Sequence, residues 1–128
     1  MPVPAIVMGD RITGFCPNHL VIGPLGAPVP SPAPLPFSAP IGAGTVPTVL
    51  IGGKPAAVVG AFGQNAQVHV GLHGTDPFLA PPMQVGRITS GSPTVLFGGK
   101  PAASATATAT CCVAPGFLVP TVQTVMIG

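Results

Sequence analysis

Charge is the scarcest property of this chain. Only six of its 128 residues are charged, and glutamate, tryptophan and tyrosine are absent altogether. A soluble domain of ordinary composition is about 25 % charged, and helical bundles depend on Glu, Lys and Arg as helix formers. Their near absence excludes a helical bundle. The four cations are dispersed and no Trp or Tyr is present to stack on bases, so we expect no nucleic-acid partner.

Two targeting features are absent as well. No run of 18 or more apolar residues escapes interruption by proline, glycine or polar residues, which argues against a transmembrane helix. The N-terminal sequence Met1-Pro2-Val3-Pro4 lacks the basic region of a secretory signal, so we expect synthesis in the cytoplasm without a signal peptide.

The chain has three cysteines, an odd number. In a reducing compartment we expect them to be free thiols or metal ligands rather than disulfides.

Glycine and proline, in contrast, are abundant. The chain has 18 Gly and 19 Pro, about 29 % of all residues where ordinary usage gives roughly 12 %. The glycines show no period of three, which excludes collagen. Hydrophobic residues make up 47 % of the chain, which excludes a charged disordered tail. The length fits one domain over residues 1–128.

An internal repeat organises the chain. Residues 47–57 read PTVLIGGKPAA and residues 93–103 read PTVLFGGKPAA, with the single difference of Ile51 against Phe97. The C-terminal TVMIG repeats the first half of this segment, and the N-terminal PAIVMG resembles the second half. The repeats divide the chain into three units, approximately 4–52, 55–98 and 101–128.

Each repeated segment is typical of a short β-hairpin. Thr-Val-Leu-Ile favours a strand, Gly-Gly-Lys-Pro favours a turn, and the alanine-rich stretch that follows forms the second strand. Because a hairpin of this size cannot bury a face alone, we expect three of them to pack around one axis. The sequence therefore predicts a compact all-β body with pseudo-threefold symmetry, with loops at roughly 10–45, 60–92 and 104–121.

Every histidine and cysteine falls in one of these predicted loops. The first loop holds Cys16-Pro17-Asn18-His19, the second holds His69-Val70-Gly71-Leu72-His73, and the third holds Cys111-Cys112. If the three units converge at one end, six candidate ligands meet there, and imidazole and thiolate are the ligands that a tetrahedral structural Zn²⁺ prefers. The alternative for each pair is surface histidines and cysteines buried as small hydrophobic residues.

Catalysis has little support in the sequence. Asp10 and Asp76 are the only carboxylates, and neither adjoins a Ser or Cys in a nucleophile motif. A catalytic zinc needs an open coordination position and usually a general base, commonly the Glu that this chain lacks. We therefore expect that the protein is not an enzyme. A small zinc-dependent hydrolase or toxin that uses the same cluster is the alternative function.

Several of these features together resemble the PAAR-repeat proteins: the twice-seen Lys-Pro-Ala-Ala, the strand before it, Gly9-Asp10 after the first Pro-Ala, and the Cys-Pro-Asn-His loop. The resemblance covers nearly the whole chain. It implies a sharp β-cone that caps the trimeric, VgrG-like β-helical spike of a contractile injection machine. Such machines include the type VI secretion system and extracellular phage-tail-like particles. One chain would cap one spike trimer and help to pierce the target membrane, which it would contact transiently.

The resemblance also implies a metal. Members of the family hold a structural Zn²⁺ near the vertex with three histidines and one cysteine, a count that His19, His69 and His73 match. Cys111 is our choice for the fourth ligand because of its place in the third loop, and Cys112 or Cys16 could replace it.

The chain departs from the family pattern in each of the later units. An arginine normally completes the Pro-Ala-Ala motif, but Val58 and Ser104 stand there. The Gly-Asp that usually follows is Gly60-Ala61 in the second unit and is missing from the third. With the proline-rich insertion from Pro24 to Pro40, these departures indicate a divergent, PAAR-like branch.

Overall fold

The structure is a computed structural model that describes residues 3–17, 19–112 and 114–127. Asn18 of the Cys-Pro-Asn-His sequence and Gly128 at the end of the third unit lie outside the described residues. Strands dominate, and the helical segments in the described part of the chain are two single 3-10 turns, Pro24–Gly26 and Pro81–Met83. No helix among the described residues is long and apolar enough to cross a membrane. The predicted all-β fold is confirmed.

The strands are short and are spread over the whole chain. In chain order they are β1 (Val3–Pro4), β2 (Arg11–Cys16), β3 (Leu20–Ile22), β4 (Pro28–Pro30), β5 (Leu35–Pro40), β6 (Val46–Ile51), β7 (Lys54–Ala56), β8 (Phe62–Gln64), β9 (Val85–Ile88), β10 (Leu96–Phe97), β11 (Lys100–Pro101), β12 (Ala109–Cys111), β13 (Ala114–Val119) and β14 (Met126–Ile127).

Six strands form the main antiparallel sheet, in the order β5-β2-β13-β12-β9-β8. Its two outer strands approach each other, since the amide of Ala66, just after β8, donates to the carbonyl of Ser38 in β5 over 2.8 Å. At Gly63 in β8, a Cβ atom would lie only 1.9 Å from the carbonyl oxygen of Pro40. Glycine is therefore required where these strands meet, and the sheet is a nearly closed, barrel-like structure.

The main sheet lies in the segments for which the sequence predicts loops, and that prediction is wrong. Each segment supplies one antiparallel pair: β2 with β5, β8 with β9, and β12 with β13. Three of the six strands, β8, β9 and β12, have only three or four residues, which is too few to show a clear local pattern. They form because each pair gains hydrogen-bonding partners from pairs far away in the chain, such as β2 with β13.

The inside of the sheet is filled by small and branched side chains. Along β13 the buried residues alternate with exposed ones, which is the period of a strand with one face in the core. The largest fully buried apolar side chains of this core are isoleucines, Ile6, Ile12, Ile41 and Ile88. Two of the three cysteines, Cys16 and Cys111, are also fully buried here.

The repeated segments lie at one end of the sheet, where β6–β7 and β10–β11 form two hairpins and β1 pairs with β14 from the other end of the chain; we call these three two-stranded pairs the hairpins. Backbone hydrogen bonds join their Pro-Ala segments head to tail. The amide of Ile6 donates to Ala103, Ala103 donates to Ala57, and Ala57 donates to Ile6, each over 2.9–3.0 Å. We call this set of three bonds the backbone ring. All three residues are fully buried.

The backbone ring separates two apolar clusters. Ile6, Ala57 and Ala103 belong to the core of the main sheet. Their neighbours Ala5, Ala56 and Ala102 belong to a second cluster between the hairpins, as expected when successive strand residues point to opposite faces. Strand β2 leads from the ring, beginning at Arg11, to Cys16 at the other end of the sheet, a length of about 17–20 Å for six residues.

Candidate metal centre

Four buried side chains converge at the end of the sheet away from the backbone ring. They are Cys16, His19, His69 and Cys112, and one ligand atom from each lies within 4.8 Å of the other three. We call these four residues the Cys2His2 cluster. They come from segments that are far apart in the chain, and the pairing of the main sheet brings them together.

The two cysteines are held by strands. Cys16 is the last residue of β2, and Cys112 follows β12 at the turn into β13. Cys112 has a positive φ of 49°, a conformation that costs a non-glycine residue about 1–2 kcal/mol. Glycine or asparagine is usual in such a turn, so the position bears strain while it presents a buried thiol to the cluster.

His19 is oriented by a buried carboxylate. Its Nδ1 lies 3.1 Å from Oδ2 of Asp76, and the same carboxylate accepts the backbone N–H groups of Leu20 at 2.8 Å and Phe78 at 2.7 Å. Burial acts most strongly on Asp76 and would raise its pKa, but these hydrogen bonds and the His19 ring together lower the pKa below its usual value. An ionised carboxylate only accepts, so Nδ1 of His19 donates this hydrogen bond and Nε2 is the nitrogen that remains for a ligand bond.

His69 is oriented by the backbone. Its Nε2 lies 2.9 Å from the carbonyl oxygen of Pro36, so Nε2 donates and Nδ1 has the free lone pair. Burial lowers the pKa of His69, which favours the neutral ring. The side chain of Gln84 holds the backbone of His69 from both sides: Oε1 accepts its N–H at 2.8 Å and Nε2 donates to its carbonyl at 3.3 Å.

The free imidazole nitrogens provide the test of fit for a metal. Among the described residues, Nε2 of His19 and Nδ1 of His69 are buried and have no hydrogen-bond partner. A buried polar atom without a partner costs about 1–3 kcal/mol, and both histidines belong to the Cys2His2 cluster. A cation bound between them would remove this cost, so these residues fit a metal ion.

The Cys16 thiol keeps its proton until a cation replaces it. For Cys16, hydrogen bonding with Cys111 has the largest effect and lowers the pKa. Hydrogen bonding with Cys112, burial and repulsion from Cys112 outweigh it and raise the pKa from 9.0 to about 12. Metal binding deprotonates a coordinating thiol outright, so binding here is coupled to proton release.

The donor set matches a soft, tetrahedral site. Two thiolates and two imidazoles are a common set for structural zinc, whereas Mg²⁺ and Ca²⁺ require oxygen ligands. Ligand atoms around tetrahedral zinc lie about 3.3–3.8 Å apart, given Zn–S and Zn–N bonds of about 2.3 and 2.0–2.1 Å. A contraction of about 1 Å from the 4.8 Å limit would therefore complete such a site.

The cluster contains two of the four residues chosen from the sequence. His19 and His69 belong to it, with the alternatives Cys16 and Cys112, but Cys111 and His73 do not. His73 is half-buried and faces another segment: Nε2 lies 2.9 Å from the carbonyl oxygen of Gly26, and Nδ1 accepts the N–H of Thr75.

The side chain of Cys111 is also directed elsewhere. Its Sγ lies 3.6 Å from the carbonyl oxygen of Pro115 and would be 2.9 Å from a Cβ on Gly14. Hydrogen bonding with Cys16, burial and repulsion from Cys16 raise the pKa of the Cys111 thiol far above its usual value. Cys111 is a core residue next to the cluster, inside the sheet.

Two residues that orient the ligands are missing from the sequence predictions. The sequence predictions treat Asp76 only as a candidate catalytic carboxylate and do not include Gln84. One signal in the sequence could have indicated Asp76, because it is one of only two carboxylates and follows His73 by three residues.

No family model matches the chain, nor does any curated protein or solved structure.

Proposed function

We propose that the chain is the conical, metal-stapled tip of a contractile injection machine, and that one chain caps a trimeric β-helical spike. It would be made in the cytoplasm and carried out of the cell at the end of the particle. Three features support the proposal: the backbone ring, three exposed apolar residues at equivalent repeat positions, and the Cys2His2 cluster at the other end.

The backbone ring carries the proposal. Three copies of one segment within a single chain donate backbone hydrogen bonds to one another in a closed cycle. A second set of backbone hydrogen bonds repeats this cycle beside the ring: Met8 donates to Pro55, Val59 donates to Pro101, and Ala105 donates to Pro4. A tip built in this way has pseudo-threefold symmetry about the centre of the ring. Such symmetry suits a partner with a true threefold axis, because each repeat can meet one spike chain.

The hairpins offer a surface with the same repeat. Leu50, Leu96 and Met126 occupy equivalent positions in the three repeats and are 61 %, 57 % and 49 % exposed. The repeats lie close to one another: a Cβ on Gly52 would lie 3.1 Å from Val122, in the segment before β14, and one on Gly98 would lie 3.0 Å from Val46 in β6. Exposed apolar residues in a repeated arrangement indicate an interface, and we assign the spike to this end.

The Cys2His2 cluster supports a structural role for the metal. Four protein ligands fill a tetrahedral site, whereas a catalytic zinc keeps one position for water or substrate. A metal there would tie together β2, the turn after β12, and the segments around His19 and His69. The tip would then resist unfolding under load without a large hydrophobic core at its vertex.

Co-expression with a trimeric β-helical spike tests the proposal. Size-exclusion chromatography with light scattering should give a complex of one chain with three spike chains. Leu50→Asp and Leu96→Asp each place a charge in the apolar contact and should weaken the complex, about a hundredfold for the double variant if each costs 1–2 kcal/mol. Leu25→Asp, at the other end of the molecule, is the matched control and should leave the complex intact.

Two outcomes would contradict the capping role. One is a folded, zinc-containing protein that binds no spike encoded beside it. The other is a complex whose stability does not respond to the Leu50 and Leu96 substitutions. If either result is accompanied by a hydrolytic activity that is lost when the metal is removed, the small zinc hydrolase is favoured instead.

A further inference from the structure

The turn that follows each Pro-Ala segment is closed by the same backbone hydrogen bond in all three units. Asp10 donates to Val7, Ala61 donates to Val58, and Ala107 donates to Ser104, each over 2.9–3.1 Å. The residue that closes the turn differs, since it is aspartate in the first unit and alanine in the other two. The three turns can therefore be compared position by position.

In the first turn the carboxylate of Asp10 is bound by two donors. Its Oδ2 accepts the N–H of Val7 at 3.0 Å, and its Oδ1 accepts the hydroxyl of Thr121. Asp10 is fully buried, which a carboxylate tolerates when N–H and O–H groups donate to it. The first turn is thus a carboxylate site whose ligand belongs to the chain.

The second turn has neither a carboxylate nor space for one. A Cβ on Gly44 would lie 2.9 Å from Cα of Ala61 and 3.0 Å from the carbonyl oxygen of Gly60. The segment before β6 therefore packs with its backbone directly against this turn.

The third turn borders a cavity of about 220 Å³. The cavity is lined by Ser104, Thr106 and Ala107 of the turn and by Ser90, Gly91 and Ser92 of the segment before β10. Counted back from the Thr-Val strand of each repeat, Gly91 corresponds to Thr121. Both side chains that meet in the first turn are therefore replaced by small ones here. A single water molecule needs only about 10–15 Å³ of such space, so a carboxylate group fits.

Two hydrogen-bond donors in this cavity remain for a ligand. The amide of Ser104 corresponds to the Val7 amide that donates to Asp10, and no acceptor for it lies among the described residues. The hydroxyl oxygen of Ser90 accepts the amide of Thr108 at 2.9 Å and the Thr108 hydroxyl at 2.7 Å. The hydrogen of the Ser90 hydroxyl is therefore available. One N–H and one O–H are the same donor types that hold Asp10.

From this comparison we infer that the cavity binds a carboxylate group, in the position that the Asp10 side chain has in the first turn. The surface favours an anion, because both aspartates are buried and all four lysines and arginines are exposed. No lysine or arginine of the described chain lines the cavity, which favours a carboxylate over a more highly charged phosphate. The group belongs either to a small free acid or to an acidic side chain of a partner. The inference concerns the isolated chain and goes beyond the proposed function, so it can fail while capping stands.

NMR spectroscopy of the zinc-loaded, isotope-labelled protein tests the inference with sodium acetate as the probe. The amide proton of Ser104 should move downfield and reach saturation as acetate is added, because it gains an acceptor. Two amides are internal controls and should not move: Val7, which already donates to Asp10, and Val58 in the closed second turn. A response that does not saturate, or an equal response to sodium chloride at the same ionic strength, would overturn the inference.

Two variants locate the site. Ala107→Asp supplies the carboxylate from the chain itself, so it should abolish the response to acetate and leave the Ser104 amide in its downfield position. Ser90→Ala removes one donor and should raise the Kd for acetate about three- to tenfold. Ser31→Ala, in a segment that bonds to the backbone of His19, is the matched control and should leave the Kd unchanged.

Zinc content shows that each variant is folded, and Ser90→Ala decides the question by itself if Ala107→Asp does not fold. An unchanged Kd in folded Ser90→Ala, or an acetate response that persists in folded Ala107→Asp, would overturn the inference.

A blocked Gly-Asp-Gly peptide, acetylated and amidated at its ends, distinguishes the two sources of the carboxylate. A lower Kd for this peptide than for acetate assigns the cavity to an acidic side chain of a partner. Binding of acetate without binding of the peptide assigns it to a small free acid. The blocked Gly-Asn-Gly peptide is the control, and equal binding of both peptides would contradict recognition of a carboxylate.

Discussion

The adjacent cysteines Cys111 and Cys112 offer the sharpest test of the metal centre. Both are buried, but only the Cys112 thiol belongs to the Cys2His2 cluster. Cys112→Ala removes one of four ligands, whereas Cys111→Ala shortens a core side chain outside the cluster. We expect wild type and Cys111→Ala to hold about one zinc per chain, and Cys112→Ala to hold less than half of that by elemental analysis.

The thermal stability should follow the zinc content. Free zinc at a thousandfold excess over its Kd contributes about 4.1 kcal/mol to the free energy of unfolding. For a chain of 128 residues, this raises Tm by about 12–20 °C at roughly 3–5 °C per kcal/mol. Wild type and Cys111→Ala should both show this shift between zinc and chelator. Cys111→Ala should have a lower Tm in both conditions, because a buried atom is lost from the core.

A third variant separates the thiol from the backbone strain. Cys112→Gly and Cys112→Ala both lack the ligand, but glycine accepts the φ of 49° without strain. Without metal, the glycine variant should therefore be about 1 kcal/mol more stable than the alanine variant in urea denaturation. The reasoning is refuted if Cys111→Ala loses the zinc-dependent shift while Cys112→Ala keeps it, or if both variants keep it.

Three further predictions concern the supports of the site, its thiols and the sheet. Asp76→Asn should weaken zinc binding about 10–100-fold, because the group that orients His19 loses its charge. Competition with a chromogenic chelator measures this affinity. Asp10→Asn, in a turn beside the backbone ring, is the control and should leave zinc binding unchanged. Without zinc, the protein should lose stability as pH rises from about 9 to about 12, since the unfolded chain releases the Cys16 proton first while the folded pKa is about 12. Urea midpoints across that range check this loss, which Cys16→Ala should reduce. Gly63→Ala should cost about 3 kcal/mol or more in urea denaturation, because its Cβ would lie 1.9 Å from a backbone oxygen of β5; Gly74→Ala, with no atom within 4 Å, is the matched control.

Local chemistry made the fold class and the hairpins predictable. Composition excludes a helical bundle, and the Thr-Val-Leu-Ile and Gly-Gly-Lys-Pro segments predict strands and turns from neighbouring residues alone. Strands β6 and β7 and strands β10 and β11 follow these segments closely. The positive φ values of Gly52, Gly53, Gly98 and Gly99 explain why both turns use a glycine pair.

The site was predictable as a set of candidates but not as a geometry. The sequence limited the ligands to six histidines and cysteines in three segments, and the cluster uses four of them. Nothing in the sequence distinguishes Cys111 from Cys112. The distinction arises because Cys111 pairs with Ala114 and Gly86 in the sheet, while Cys112 lies beyond the end of β12 with a positive φ.

The amino-acid sequence by itself determined the all-β class, the repeated hairpins and the residue types from which a metal site can be built. Those properties depend on neighbouring residues, whose preferences for strands and turns are local. Tertiary structure alone decided that the predicted loops form the main sheet and that Asp76 orients His19, 57 residues away. Such contacts depend on which distant strands pair: β2 lies between β13 and β5 in the sheet, and the sequence of one strand does not specify which distant strands will flank it.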